Sequence, residues 1–208
     1  MSRSRHTQYI VANAFREPIV AMFGRMPKCC ARLLLRTFRW SDSFVGYGIR
    51  YLCVRRLAKR CGKKVLIFPG CMLFWLENCE IGENVTIHDF CYVDGVGGVV
   101  IGDNVRIAHN CSIISGQHRY DVPGKTIFES GYVMGLIEIG SDVWLATGAV
   151  VTPGVKIGQG AVIGANSVVT KDVQSYSVTA GIPARFLKHR FGNTSGTSGE
   201  SMEATGDG

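Results

Sequence analysis

The chain has no apolar, uncharged run of the roughly 18 residues that a membrane-spanning helix requires. The basic start Met1-Ser-Arg-Ser-Arg is followed by no apolar core and small-residue cleavage site, so no secretory leader is expected. The eight cysteines form neither a CxxC pair nor zinc-finger spacing, which argues against a thiolate metal site. Acidic residues are scarce in one region. Residues 1–64 hold 15 Lys/Arg against Glu17 and Asp42, a balance of +13, while the remainder carries −6. The basic character of the chain therefore belongs to its first third, and an overall isoelectric point conceals this.

Also missing, from about residue 81 onward, is either ordinary period of apolar residues. Spacings of 3.6 for a helix and 2 for a strand both fail. The period is six. Ile139, Leu145, Val151, Ile157, Ile163 and Val169 are all aliphatic. Four residues after the first five come Val143, Ala149, Val155, Ala161 and Ser167, all small or β-branched. Such a period fits a solenoid whose identical short faces stack coil on coil. Earlier hexads begin at Ile81, Ile87 and Val93, and three hexads make one triangular coil. The register shifts by two at Val99-Val100 and resumes at Ile101, Ile107 and Ile113. From Ser115 to Leu136 the repeat is lost in a polar, glycine-bearing stretch. A long excursion of this kind in a compact fold is usually functional or disordered.

The spacing places Cys79, Cys91 and Cys111 four residues after Trp75, Ile87 and Ile107, in the small-residue slot of the hexad. They read as packed, reduced thiols, which implies a reducing compartment. The 208 residues divide into a basic, mainly helical segment 1–64 and a solenoid 65–180 with an excursion at 115–136. A short C-terminal helix at 181–191 and a disordered small-polar tail at 192–208 follow. In the first segment Ile10, Val11, Ala14 and Phe15 could line one helix face, and so could Leu33, Leu34 and Phe38. Leu52, Val54, Leu57 and Ala58 alternate with Arg55, Arg56, Lys59 and Arg60. Two compatible readings stand: helices that cap the open end of the solenoid, or a surface that meets anionic lipid. A nucleic-acid partner is not expected.

Residues 137–188 resemble the hexapeptide-repeat acyltransferases, a left-handed parallel β-helix family. The carrying motifs are Ile139-Gly-Ser-Asp-Val-Trp-Leu, Val151-Thr-Pro-Gly-Val-Lys-Ile-Gly, the run Ala161–Val173 and Ala180-Gly-Ile-Pro-Ala-Arg. The resemblance extends less regularly back to about Glu80. It is strongest to the sugar and exopolysaccharide O-acetyltransferases, which move acetyl from acetyl-CoA to a sugar hydroxyl and assemble as trimers with sites between neighbours. It implies that His118, in Ile113-Ile-Ser-Gly-Gln-His118, is the catalytic base. A sugar hydroxyl needs a base whose pKa lies near the working pH, and histidine supplies one. The resemblance further implies that Thr147, Ala165 and Thr170 line the pantetheine groove, and that Lys171, Arg185 and Lys188 meet the CoA phosphates. Trp144 walls the acetyl or acceptor pocket, or simply packs. His88 and Asp94 fall near acceptor-binding positions. His88 departs from the asparagine of the galactoside and maltose enzymes, so their acceptor is not carried over. Val93-Asp-Gly-Val-Gly-Gly-Val-Val-Ile-Gly-Asp-Asn fits the exopolysaccharide and lipopolysaccharide branch better, where a lipid-linked acceptor suits a basic N-terminus.

The expectation is thus a cytoplasmic homotrimer, peripheral at the inner face of the membrane, that uses acetyl-CoA as co-substrate and no metal. N-acetylation of an amino sugar is the alternative activity. The serine acetyltransferases fit less well, because they carry a longer helical N-terminal domain. A non-catalytic scaffold is countered by the His118 loop together with Lys171 and Arg185. A γ-type carbonic anhydrase, which shares the fold, holds its metal through three histidines. His88 and His109 resemble two of them, but the third position is Ile114.

Overall fold

The computed structural model describes residues 17–191. The expected helix face at Ile10–Phe15 and the tail at 192–208 lie outside the described residues. Three helices open the described chain: α1 (Glu17–Gly24), α2 (Lys28–Thr37) and α3 (Phe44–Leu57). Ser43 caps α3, its hydroxyl accepting the Gly46 N–H at 3.0 Å. This helix enters the core, with Tyr51, Leu52, Cys53, Val54 and Leu57 all buried.

Arg50 of α3 is 1% exposed. A buried guanidinium needs acceptors. Its Nε donates to the Ile67 carbonyl at 2.9 Å, and Nη1 donates to the Phe38 and Ser41 carbonyls at 2.7 Å each. Arg50 therefore ties the helices to the first coil of the solenoid.

From Arg60 the chain winds as a three-faced parallel β-helix. The first face stacks β1 (Arg60–Cys61), β4 (Cys79–Ile81), β7 (Val99–Ile101), β12 (Ile137–Ile139) and β15 (Lys156–Ile157). The second stacks β2 (Leu66–Ile67), β5 (Thr86–Ile87), β8 (Arg106–Ile107), β13 (Trp144–Leu145) and β16 (Val162–Ile163), extended by β18 (Ser177–Gly181) and β19 (Ala184–His189). The third stacks β3 (Met72–Phe74), β6 (Tyr92–Asp94), β9 (Ser112–Ile114), β14 (Val150–Val151) and β17 (Val168–Val169). The hexad aliphatics make the core. Ile67, Ile87, Ile107, Leu145 and Ile163 form one buried column down the second face.

The first rung starts at Arg60, inside the segment assigned to the helical N-terminus. The shift at Val99-Val100 has a clear origin. Ile81 pairs with Ile101, twenty residues on, whereas Ile139 pairs with Ile157, eighteen on. The two extra residues lie in the corner between the third and first faces. For the same reason Cys79 pairs with Val99 on the first face and does not occupy the small corner slot. Cys71, Cys91 and Cys111 do stack at one corner. Their thiols donate to the His88, Ala108 and Ala146 carbonyls at 3.1, 3.0 and 3.2 Å.

Two further expectations need correction. Residues 181–191 are not a helix. β18 has an open edge at the end of the second face, and β19 returns antiparallel to it, with Gly181 at φ +104° opening the reversal. The excursion 115–136 is not all loop, because β10 (Gly116–His118) pairs antiparallel with β11 (Tyr132–Met134).

Candidate active site

Ile113 belongs to the third-face column, and the chain leaves the solenoid two residues later. Ser115 fixes the exit. Its Oγ donates to the Asp94 carbonyl at 2.6 Å and accepts the Gly97 N–H at 2.8 Å. β10 then carries His118 outward, and the hairpin register sets it opposite Tyr132. The two rings meet edge to face at 5.2 Å and 89°. Gly116 is required here, since a Cβ would collide with the Tyr132 ring. Burial raises the Tyr132 phenol pKa, with smaller contributions from Asp94 and Tyr92. Asp94 ends β6, pairs in register with Ile114, and accepts the Val96 N–H on Oδ1 at 3.1 Å. His118, Tyr132 and Asp94 thus gather at the corner between the third and first faces. Tyr132 went unnoticed in the sequence, because only the hairpin register brings it back to His118.

A second group lies at the corner between the second and third faces. His88, His109, Thr147 and Ala165 each follow a second-face strand. The His88 ring stacks on Phe68, with centroids 4.3 Å apart and planes at 19°. Burial pushes its pKa down; Asp89 opposes this, while His109 and Arg106 add to it. Thr147 Oγ1 stands 3.5 Å from His109 Nδ1. His88 and Asp94 therefore flank opposite ends of one rung and do not converge within the chain. Ile114 lies on the third face, away from the His88–His109 corner.

The third group sits at the C-terminal end. A cavity of about 510 Å³ there is lined by Lys171, Arg185, His189, Ser177 and Phe186, among others. It brings together Lys171 and Arg185, two of the three cations that the family resemblance assigned to the CoA phosphates. Lys188 pairs with Val178 in β18 and does not line this cavity. Thr170 precedes Lys171 and is exposed. Trp144 is half-exposed on the second face, between Arg106 and Val162.

The sequence and the fold have counterparts among known proteins. The family model for the bacterial transferase hexapeptide (six repeats) matches residues 137–171. The dTDP-4-amino-4,6-dideoxy-D-glucose acyltransferase of Escherichia coli is 32% identical over 158 residues, covering 64% of this chain and 82% of that one. A chloramphenicol acetyltransferase from Morganella morganii is 53% identical over 126 residues, 60% of each chain. The matches span 54–62% of the length of the chloramphenicol acetyltransferases. A maltose O-acetyltransferase from Clostridium difficile 630 superposes with TM-score 0.70 at 31% identity, covering 78% of this chain and 85% of that one. A galactoside acetyltransferase solved with coenzyme A gives TM-score 0.64 at 28% identity, over 78% and 80%. The solenoid, its repeat and these relatives agree: the chain belongs to the hexapeptide-repeat acyltransferase family, with that family's left-handed β-helix.

Proposed function

We propose that this chain transfers acetyl from acetyl-CoA to a saccharide hydroxyl in polysaccharide, lipopolysaccharide or exopolysaccharide synthesis. The observation that carries the proposal is His118, projected by an ordered hairpin and packed edge to face against Tyr132. His118 takes the hydroxyl proton as the oxygen attacks the thioester carbonyl. The tetrahedral intermediate then collapses, the carbon–sulfur bond breaks, and the CoA thiolate leaves and is protonated. Lys171 and Arg185 hold CoA phosphates, and Thr147, Ala165 and Thr170 flank the pantetheine arm.

The dispersal of these residues over two corners supports assembly as a homotrimer. A threefold arrangement of triangular prisms sets one corner of a copy against another corner of its neighbour. His118 of one copy then faces the Thr147–Ala165 groove of the next, and His88 and Asp94 contact the acceptor from different copies. Among the described residues no helix is long and apolar enough to cross a membrane. The basic segment 1–64 makes peripheral contact with the inner face of the membrane, and the catalytic domain works in the cytoplasm.

A second reading is favoured by the relatives' own names. An acyltransferase on a dTDP-amino sugar covers most of this chain's fold, and chloramphenicol acetyltransferases reach 53% identity. The acceptor panel must therefore include an amine and a non-sugar alcohol. Free-thiol release from acetyl-CoA is measured with mono-, oligo- and lipid-linked saccharides, a dTDP-amino sugar and chloramphenicol. Release that depends on a saccharide hydroxyl and disappears in His118→Ala is the expected result. Release only with the amine or with chloramphenicol replaces the acceptor. Unchanged turnover in His118→Ala overturns the mechanism.

A further inference from the structure

Among the described residues, a groove of about 350 Å³ lies between α2 and the outer side of the first coil, far along the chain from His118. One wall is cationic: Arg36, in the last turn of α2, and Arg39, just beyond the helix, both line it. Neither guanidinium has a hydrogen-bond or ion-pair partner among the described residues. Arg32, one turn earlier, is different, because it is paired with Glu77 at 3.0 Å. That pair fastens α2 across the groove to the 3₁₀ turn Leu76–Asn78 and leaves the other two arginines uncompensated. The facing wall is apolar, formed by Leu73, Phe74 and Trp75. Trp75 is 54% exposed, and it is held at φ 53°, a conformation that bulky residues rarely adopt. On the same helix and just beyond it, Leu33 and Trp40 are 66% and 65% exposed.

Cations on one side and aromatic and aliphatic surface on the other suit an amphiphile with an anionic head. We infer that this groove seats a phosphate-headed membrane lipid, with the phosphate on Arg36 and Arg39 and the first chain carbons along Leu73, Phe74 and Trp75. Leu33 and Trp40 then sit at the headgroup boundary, where exposed Leu and Trp side chains are favourable. The charge of the region agrees. Residues 17–64 hold twelve Lys/Arg against Glu17 and Asp42. The inference rests on the peripheral-membrane part of the proposed function and sharpens it from a diffuse basic face to one built site. It does not depend on the acetyl-transfer chemistry.

The test uses the full chain and vesicles, without any acetyl acceptor. Binding to phosphatidylglycerol vesicles is measured by flotation, with phosphatidylcholine vesicles and inorganic phosphate as the other arms. Each cation near an anionic bilayer contributes about 1 kcal/mol, so Arg36→Gln with Arg39→Gln should weaken binding about thirty-fold. Lys63→Gln with Lys64→Gln, equal in charge but off the groove, should weaken it by less than about three-fold. Brominated chains should quench tryptophan emission, and less so in Trp75→Phe. Circular dichroism and unchanged acetyl-CoA affinity confirm that the variants fold. Four results overturn the inference: no binding by the wild type to anionic vesicles; equal losses in both double variants, meaning diffuse charge; release from anionic vesicles by inorganic phosphate at matched ionic strength, meaning a free-anion site; and a change in oligomeric mass without a change in lipid binding, meaning an interface between copies.

Discussion

The early and late coils follow one rule with different strictness. From Ile139 to Val169 every step between core aliphatics is six residues, and the faces meet in minimal corners. In the first three coils the steps within a coil are also six, but the return from the third face to the first is longer. Leu73 to Ile81 and Val93 to Ile101 are each eight residues, and Ile113 to Ile139 is twenty-six. Every insertion therefore falls at one corner of the prism. That corner carries Trp75, Asp94 and the hairpin with His118. A solenoid tolerates insertions where the chain is outside the stacked core, because loop closure costs little extra with length. The strict hexads build the scaffold, and the relaxed corner carries the candidate base His118 with Tyr132.

The sharpest way to break this division is at its reactive extreme. His118→Ala should lower turnover by about 10²–10⁴-fold, the usual contribution of a positioned general base. The melting temperature should stay unchanged, since the side chain is exposed on a hairpin outside the core. A variant that loses stability with activity would show that the hairpin also braces the solenoid.

The opposite extreme is the core column. Ile107 is 0% exposed and lies between Ile87 and Leu145, joining the early coils to the late ones. Ile107→Ala should cost about 2–5 kcal/mol in denaturant unfolding. Val96→Ala, in an inserted corner and only half-buried, should cost about 1 kcal/mol. Equal costs would mean that the relaxed corner is as structural as the column.

The scaffold was legible because a period of six is a long, redundant signal. Residues far apart in sequence vote for the same register, so the hexads from Ile139 to Val169 could be read without knowing which face each one joins. His118 was legible for the converse reason, since it sits where that signal stops. Tyr132 was not. Its partnership with His118 depends on an antiparallel register across thirteen intervening residues, and no periodicity encodes that pairing. The C-terminal strand was missed because an open sheet edge, a property of the assembled solenoid, recruits Ala184–His189. Nor could sequence alone show that His88 and Asp94 belong to different corners. The resemblance placed both near the acceptor, but His88 precedes β6 and Asp94 ends it, so the strand holds them at its two ends.

Tyr132 gives a smaller test of the corner. Tyr132→Phe keeps the ring over Gly116 and edge-on to His118, and removes only the hydroxyl. If the ring alone positions the imidazole, turnover should fall less than about three-fold, whereas Tyr132→Ala should lower kcat about ten-fold with the KM for acetyl-CoA unchanged, the loss expected when a base is merely misplaced. A ten-fold loss in Tyr132→Phe would instead assign the phenol a direct bond to the acceptor.

The smallest expected effect is a pH slope at the other corner. Burial against Phe68 holds the His88 pKa below its usual value. The unfolded chain, with an ordinary imidazole near about 6.5, takes up this proton before the folded state does. Above that pH both states are neutral at His88, and its contribution to stability is fully present. As pH falls below it the unfolded state gains a proton that the fold resists, and stability declines until the depressed folded pKa is passed. His88→Gln removes this component while leaving the carboxylates and the other histidines in place. Unfolding midpoints at pH 7 and pH 5 should therefore lie closer together in the variant than in the wild type. Equal separations would show that the His88 pocket opens readily enough to hydrate the charged ring. The strict and relaxed corners would then differ less in rigidity than their sequences imply.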